Sequence, residues 1–181
     1  MLSLYHDWQL AFDKYFVSPS PSMKDLSIVE LGKGEGTLYL HKNFKKVFSI
    51  EYCKGAYKTS WEDAGLEGHI LENMETPSNI NELDSILIHS NGAVRPPELA
   101  KEAEKLYLRA CYYQADVLFI DHGVHNRGEV LELAKKGQWK YIIIHDSNAP
   151  FYGYNLKSED HSVYNFPNGA GTVIFKKLVS S

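Results

Sequence analysis

Two runs of apolar residues, at 116–121 and 141–146, end beside side chains that can transfer protons or bind a cation. These side chains are Asp121, His122, His125, His145, Asp146 and Asn148. If the two runs are adjacent strands of one sheet, both groups face a single cleft. Histidine is a suitable base because its unperturbed pKa lies near neutrality, and carboxylate and amide oxygens suit Mg²⁺.

A second chemical feature is the segment SIVELGKGEGTLYL at 27–40, where three glycines alternate behind an apolar run. Glycine lets the backbone approach a ligand closely and adopt positive φ, and a helix N-terminus beyond it presents free N–H groups. Glu51 ends the next apolar run, where an acid can accept both hydroxyl hydrogens of a ribose. A tight strand-to-helix turn would also explain the glycines. Together with Glu51, they predict a site for a nucleoside-containing cofactor.

The elements that position these groups alternate between strands and helices from residue 26 onward. Strands are predicted at 28–31, 46–51, 69–72, 116–121, 141–146 and 171–178, with an extra strand possible at 85–89. Helices are predicted at 36–43, at 54–65, from Pro97 onward, and at 126–137, the last with Asn126 and Glu129 as a capping box. This order predicts an α/β, doubly wound, mostly parallel seven-stranded sheet in a single domain.

The first 22 residues are predicted to form a helix and a linker ahead of an α/β domain at 23–181. An apolar stripe on one helix face consists of Leu4, Trp8, Ala11, Phe12 and Tyr15. SPSPS at 18–22 then breaks the helix. This helix either packs on the domain or covers a site.

The motifs together resemble those of class I S-adenosylmethionine-dependent methyltransferases. VELGKGEGT resembles their first motif, FSIEY resembles their second, and ILENME lies where that family has its adenine-contacting loop. The Gly-x-Gly-x-Gly spacing differs from the Gly-x-Gly-x-x-Gly of nicotinamide sites, which disfavours a dehydrogenase. VLFIDHGVHNRGEVLELAKKGQWKYIIIHDS resembles the fourth- and fifth-strand region of the small-molecule O-methyltransferase branch, so the likeness covers about residues 27–148.

The resemblance implies a Rossmann-like methyltransferase fold, S-adenosylmethionine as cofactor, and methylation of a small-molecule acceptor at oxygen. The cofactor-binding residues that it implies are Glu30, Gly32, Gly34, Gly36, Thr37, Glu51, Tyr52, Glu72, Asn73, Met74 and Asp121. The catalytic residues that it implies are Asp121, His122, His125 and Asp146, with His122 or His125 as the base. The chain departs from the family pattern at His122, which is inserted where a glycine commonly stands.

A metal ion is a further expectation from the resemblance. Some members of this branch hold Mg²⁺ with strand-end Asp and Asn residues, so Asp121, Asp146 and Asn148 are the predicted ligands if an ion is bound. The alternative is that His145 and Asp146 cap a strand end without touching substrate. The segment that follows, at 148–171, supplies either acceptor-pocket residues or anchoring aromatics, namely Tyr152, Tyr154, Tyr164 and Phe166.

The composition gives no support to several classes of function. The net charge of −4 and the lack of a Lys/Arg block give no indication of nucleic-acid binding. The sequence contains no run of about 18 apolar residues, so no membrane span is predicted. Residues 1–16 carry charge and aromatic side chains where a signal peptide needs an apolar stretch, so we expect a cytoplasmic protein. Cys53 and Cys111 have no pairing or metal-ligand spacing, which fits a reducing compartment. A homo-oligomer is possible through the first helix or the Pro97 helix. Two other functions remain open: cleavage of the sulfonium cofactor, and a non-catalytic nucleoside-binding or interaction module.

Overall fold

The helices and strands of the computed structural model lie within residues 7–16, 21–34, 36–51, 70–74, 78–123 and 125–179, which are the residues described. The strands are β1 Ser27–Leu31, β2 Lys46–Glu51, β3 Ile70–Asn73, β4 Val117–Ile120, β5 Tyr141–His145, β6 His161–Phe166 and β7 Thr172–Lys177. The helices are α1 Asp7–Tyr15, α2 Thr37–Asn43, α3 Ile80–His89, α4 Pro97–Tyr112 and α5 Arg127–Lys135. Two short 3₁₀ helices cover Met23–Asp25 and Pro150–Tyr152.

The seven strands form one sheet in the order β3-β2-β1-β4-β5-β7-β6. The first five are parallel, and β7 is antiparallel to both β5 and β6. The strand order reverses between β1 and β4, which is where ligands bind in open α/β sheets. Leu31 pairs with Ile50 and Ile120, so the chain leaves β1, β2 and β4 at the same edge.

Helices cover both faces of the sheet and bury two apolar clusters. On one face, Phe12 of α1 and Leu40 of α2 pack against Phe119. On the other face, Leu106 of α4 and Leu131 of α5 belong to the second cluster. Strands β4 and β5 are buried along their whole length, which explains their continuous apolar runs. The doubly wound, mostly parallel α/β sheet is therefore confirmed.

The prediction of a strand at 85–89 is wrong, because these residues complete α3. Leu83 and Leu87 are four residues apart and both buried, which is helical spacing. The seventh strand is β6, within the segment predicted to be a loop. It forms one edge of the sheet and most of its residues are partly or fully exposed, so it has little apolar signal.

The capping box predicted at the start of α5 is also wrong. Asn126 does precede the helix, but its side chain makes no cap hydrogen bond, and Glu129 instead pairs with Arg95. The predicted helix at 54–65 and Leu4 lie outside the described residues. Among the helices that are described, none has the length and apolar character to cross a membrane.

Candidate functional site

The three glycines after β1 serve three different purposes. Gly32 has φ +90°, and a Cβ there would lie 2.7 Å from the Asp121 carbonyl oxygen. The loop therefore runs directly against the end of β4, and only glycine fits this approach. A Cβ at Gly36 would lie 2.3 Å from the indole of Trp8, whereas a Cβ at Gly34 would have no described atom within 4 Å. Gly34 is thus the glycine with an open face.

Glu30 and Thr37 lie behind the glycine loop rather than on its open face. The Thr37 hydroxyl accepts the Gly34 N–H at 3.1 Å and lies 2.9 Å from a Glu30 carboxyl oxygen, to which Ser49 also donates at 2.6 Å. Both Glu30 and Thr37 are buried. Burial raises the pKa of Glu30 to about 8, although the hydrogen bonds from Ser49 and Thr37 oppose the shift. These side chains fix the shape of the loop, and their contact with a cofactor stays a prediction.

Glu51 ends β2 and turns its carboxylate toward the same loop. It accepts the Lys33 N–H at 3.2 Å and is buried. Met74 follows β3, donates its N–H to the Glu51 carbonyl at 2.8 Å and packs its side chain against the core under α4 and α5. Tyr52 and the side chains of Glu72 and Asn73 lie outside the described residues.

Charged side chains meet where β4 and β5 end. Arg127 Nη1 lies 3.2 Å from Asp121 Oδ1 and 3.0 Å from Asp146 Oδ2. His145 Nδ1 lies 3.0 Å from Asp121 Oδ1 and 3.7 Å from Asp146 Oδ1. Asp146 has φ +55°, which non-glycine residues rarely adopt. The structure therefore brings together two of the predicted catalytic residues, Asp121 and Asp146, with two cations between them.

Asp7, the first residue of α1, completes this cluster from the opposite end of the chain. Its Oδ1 lies 3.0 Å from His145 Nε2, and its Oδ2 accepts the Ala170 N–H at 2.8 Å. Burial alone would lower the pKa of His145, but Asp121, Asp146 and Asp7 together raise it to about 9. The imidazole is therefore a cation at neutral pH, held between carboxylates.

The two histidines predicted as alternative bases differ sharply. His122 is completely buried, with Nε2 2.7 Å from Asn126 Oδ1. Burial and the charge of Arg127 lower its pKa to about 3. His125 keeps 13% of its side chain exposed, and its Nδ1 lies 2.7 Å from Asp84 Oδ1 of α3, at an angle too bent for a good hydrogen bond. The Asp84 carboxylate therefore lies beside the His125 ring.

The remaining predicted residues are held by contacts of their own. Asn148 donates its amide to the carbonyls of Pro167 and Gly169 at 3.1 and 3.2 Å, so it fastens the β6–β7 turn. Tyr164 packs on Tyr15 of α1 with ring centroids 4.8 Å apart, which makes it an anchor rather than a pocket residue. Tyr152 is buried against the Arg127 guanidinium at 4.3 Å.

Sequence reasoning missed Asp7, Asp84 and Arg127. Arg127 stands at the start of a helix, where a cation has no obvious local partner. This position was the available sequence signal that its charge is paired elsewhere in the fold. Asp7 and Asp84 carry no local signal, because their partners in the site are 138 and 41 residues away.

Comparison with solved structures relates this arrangement to known proteins. A methyltransferase from Geobacter sulfurreducens aligns with a TM-score of 0.51 and 15% identity, over 99% of this chain and 79% of that chain. The N-methyltransferase NodS from Bradyrhizobium japonicum WM9, in complex with S-adenosyl-L-homocysteine, aligns with a TM-score of 0.51 and 10% identity, over 98% and 89% of the two chains. No protein-family model and no curated protein matches the sequence. The chain has the Rossmann-like fold of class I S-adenosylmethionine-dependent methyltransferases.

Proposed function

We propose that this chain is an S-adenosylmethionine-dependent methyltransferase that methylates a small-molecule acceptor at oxygen. The observation that carries the proposal is the open face of Gly34 beside the buried Glu51 carboxylate, at the strand-order reversal. A glycine backbone without overlying side chains admits a close ligand, and a strand-end carboxylate suits a ribose. Both lie at the edge of the sheet where β4 and β5 end and where their polar side chains lie.

The residues present fit such a cofactor. The backbone around Gly34 would lie along it, and the Glu51 carboxylate would accept the ribose hydroxyls. Asp121 directly follows β4, and its carbonyl oxygen lies against Gly32. Asp121 is therefore the acidic residue at the end of β4 that lies next to the glycine loop. When bound, S-adenosylmethionine supplies an electrophilic methyl group on a sulfonium centre. The protein must then orient an acceptor hydroxyl and remove its proton.

His125 is the base in this proposal. Asp84 Oδ1 accepts the His125 backbone N–H at 3.3 Å and lies 2.7 Å from Nδ1, so one carboxylate holds the main chain and lies beside the ring. Arg95 donates to the His125 carbonyl at 3.1 Å, and the ring stacks on Tyr152. With Nδ1 turned to Asp84, Nε2 is the nitrogen that can accept a proton from the hydroxyl. The fully buried, neutral His122 is left to support the loop.

Cofactor binding is tested by calorimetry with S-adenosylmethionine and S-adenosyl-L-homocysteine. We expect both to bind, and Glu51→Gln to weaken both by about tenfold or more, the effect of losing one charge-assisted hydrogen bond of about 1.5–3 kcal/mol. Glu132→Gln, at a glutamate of α5 that pairs with Lys135, is the matched control. An absence of binding at millimolar ligand would contradict the proposal.

The base is tested by His125→Gln, with S-adenosyl-L-homocysteine release measured over a panel of small hydroxylated acceptors. We expect kcat to fall by about 100- to 10,000-fold, the usual contribution of general base catalysis, with unchanged calorimetric affinity for the cofactor. His89→Gln is the control, since His89 lies on the same helix as Asp84 and contacts only Ser85 among the described residues. A kcat for His125→Gln within twofold of wild type would remove His125 from the mechanism.

A non-catalytic nucleoside-binding module is the second candidate function. It is favoured by one observation: the carboxylates at the ends of β4 and β5 already have Arg127 and His145 as partners. A module of this kind would bind the cofactor without turnover in any acceptor reaction. A third possibility is cleavage of the sulfonium compound. Incubation with the cofactor alone distinguishes it from methyl transfer, because this breakdown needs no acceptor.

A further inference from the structure

The guanidinium of Arg127 lies between the carboxylates that end β4 and β5. One nitrogen, Nη1, contacts Asp121 Oδ1 at 3.2 Å and Asp146 Oδ2 at 3.0 Å. The side chain is 5% exposed, whereas the two aspartates keep 26% and 28% of their side chains exposed. A buried permanent cation thus bridges two half-buried anions.

The guanidinium is held on its other sides as well. Its Nε donates to the His122 carbonyl, Nη1 lies 3.5 Å from the His145 carbonyl, and its centre lies 4.3 Å from the Tyr152 ring. Turning the side chain away would leave a buried charge without partners, which costs several kcal/mol. Arg127 is therefore a fixed part of the site rather than a mobile surface cation.

The same carboxylates are the ones that a divalent ion would need. Asp121, His145 and Asp146 each offer a ligand atom, and these atoms lie within 4.8 Å of one another. An ion there would compete with Arg127 for oxygens of both aspartates. It would also lie close to the positively charged guanidinium, which cannot turn away. Asn148, the third predicted ligand, is held at the β6–β7 turn by hydrogen bonds from its Nδ2 to the carbonyls of Pro167 and Gly169. The residues present do not fit the Mg²⁺ site implied by the resemblance.

We propose that Arg127 is a built-in counter-cation for Asp121 and Asp146, and that this site takes no divalent metal ion. The guanidinium holds the ends of β4 and β5 together and neutralises one carboxylate charge at all working pH values. The inference concerns cation binding alone, so it stands or fails independently of methyl transfer.

The test measures Mn²⁺ binding by electron paramagnetic resonance, in which the signal of the free ion decreases as the protein binds it. The wild-type chain is expected to bind more weakly than about 1 mM, the upper end of the range for weak carboxylate sites. Arg127→Met removes the charge, keeps an apolar side chain of similar length, and releases both aspartates from the guanidinium while their contacts with His145 remain. We expect it to bind Mn²⁺ at least tenfold more tightly, and the double variant with Asp146→Asn to lose that gain.

Arg95→Met is the matched control, because Arg95 also pairs with a carboxylate, which among the described residues is that of Glu129 alone. It should gain no Mn²⁺ affinity. Submillimolar binding by the wild-type chain that Asp146→Asn abolishes would overturn the proposal, and so would a folded Arg127→Met variant with unchanged affinity. The wild-type titration decides the question even if Arg127→Met does not fold.

Discussion

Replacing Gly36 by alanine tests whether α1 is packed against the glycine loop as tightly as the structure indicates. The added methyl group would lie 2.3 Å from Trp8 Cζ2, more than 1 Å inside ordinary van der Waals contact. Gly36 has φ −66°, which alanine adopts readily, so backbone strain contributes nothing. The whole cost therefore comes from displacing the indole.

The indole has little room to move. Trp8 is buried, and its ring lies 5.1 Å from the ring of Phe12, 5.5 Å from that of Tyr39 and 5.0 Å from that of Phe119. Overpacking of such a core costs about 1–3 kcal/mol, and removing a glycine from the unfolded chain offsets about 0.4–1 kcal/mol. We expect a net loss of about 1–2 kcal/mol, or a Tm lowered by about 2–8 °C for a chain of this size.

Differential scanning calorimetry and urea unfolding measure this loss, and Gly34→Ala is the matched control. A methyl group at Gly34 meets no described atom within 4 Å, so its unfolding free energy should stay within about 0.5 kcal/mol of wild type. Its effect should instead be on cofactor affinity, since the methyl group projects from the open face of the loop. The two alanines thus separate packing from binding.

A Trp8→Phe background provides the decisive comparison, because the smaller ring vacates the space that the methyl group needs. Gly36→Ala should cost less there than in the wild-type chain, with a coupling energy of about 0.5–3 kcal/mol for residues in contact. An equal cost in both backgrounds, or a Gly36→Ala variant as stable as wild type, would refute the packing of Trp8 on the loop.

Two other substitutions test the buried carboxyl group and the Arg95 contacts. The pKa of Glu30 is about 8 in the folded protein, against an ordinary value of 4.5. The folded state therefore binds the proton more tightly than the unfolded state does. As a result, the unfolding free energy falls as pH rises from 4.5 to 8, by at most about 1.4 kcal/mol per pH unit. Glu30→Gln should abolish that decline in urea unfolding at pH 5 and 8; parallel slopes for the two chains would contradict the shift. Arg95 donates to Glu129, to the Phe151 carbonyl at 3.0 Å and to the His125 carbonyl. Arg95→Gln should therefore lower stability by about 1–2 kcal/mol, discounted for partial exposure, and speed amide exchange at 151–153. Lys105→Gln, at an exposed pair, should do neither.

The parallel half of the sheet was predictable because its strands are buried on both faces. The runs that became β4 and β5 contain nothing but apolar residues in their interiors, and such runs have few alternatives to a central strand. The edge strand β6 and the helix α3 were missed for the opposite reason. Only one face of each contacts the core, so the local pattern was too sparse to decide between helix, strand and loop.

The site was predictable only where its residues lie close in sequence to a strand end. Gly32, Asp121 and Asp146 follow strands directly and Glu51 ends one, and parallel topology brings them to one edge. The glycine pattern itself was ambiguous, since the close approach of Trp8 is by itself a reason for a glycine at position 36. No local rule predicts such a contact, because it depends on how a separate helix docks.

The position of Asp7 has a consequence for how the protein is made. Its partners at His145 and Ala170 lie 138 and 163 residues later in the chain. Synthesis must therefore proceed past Ala170 before Asp7 can make both contacts, and α1 lacks these partners until then. The nascent chain is most exposed to aggregation or chaperone capture during this wait.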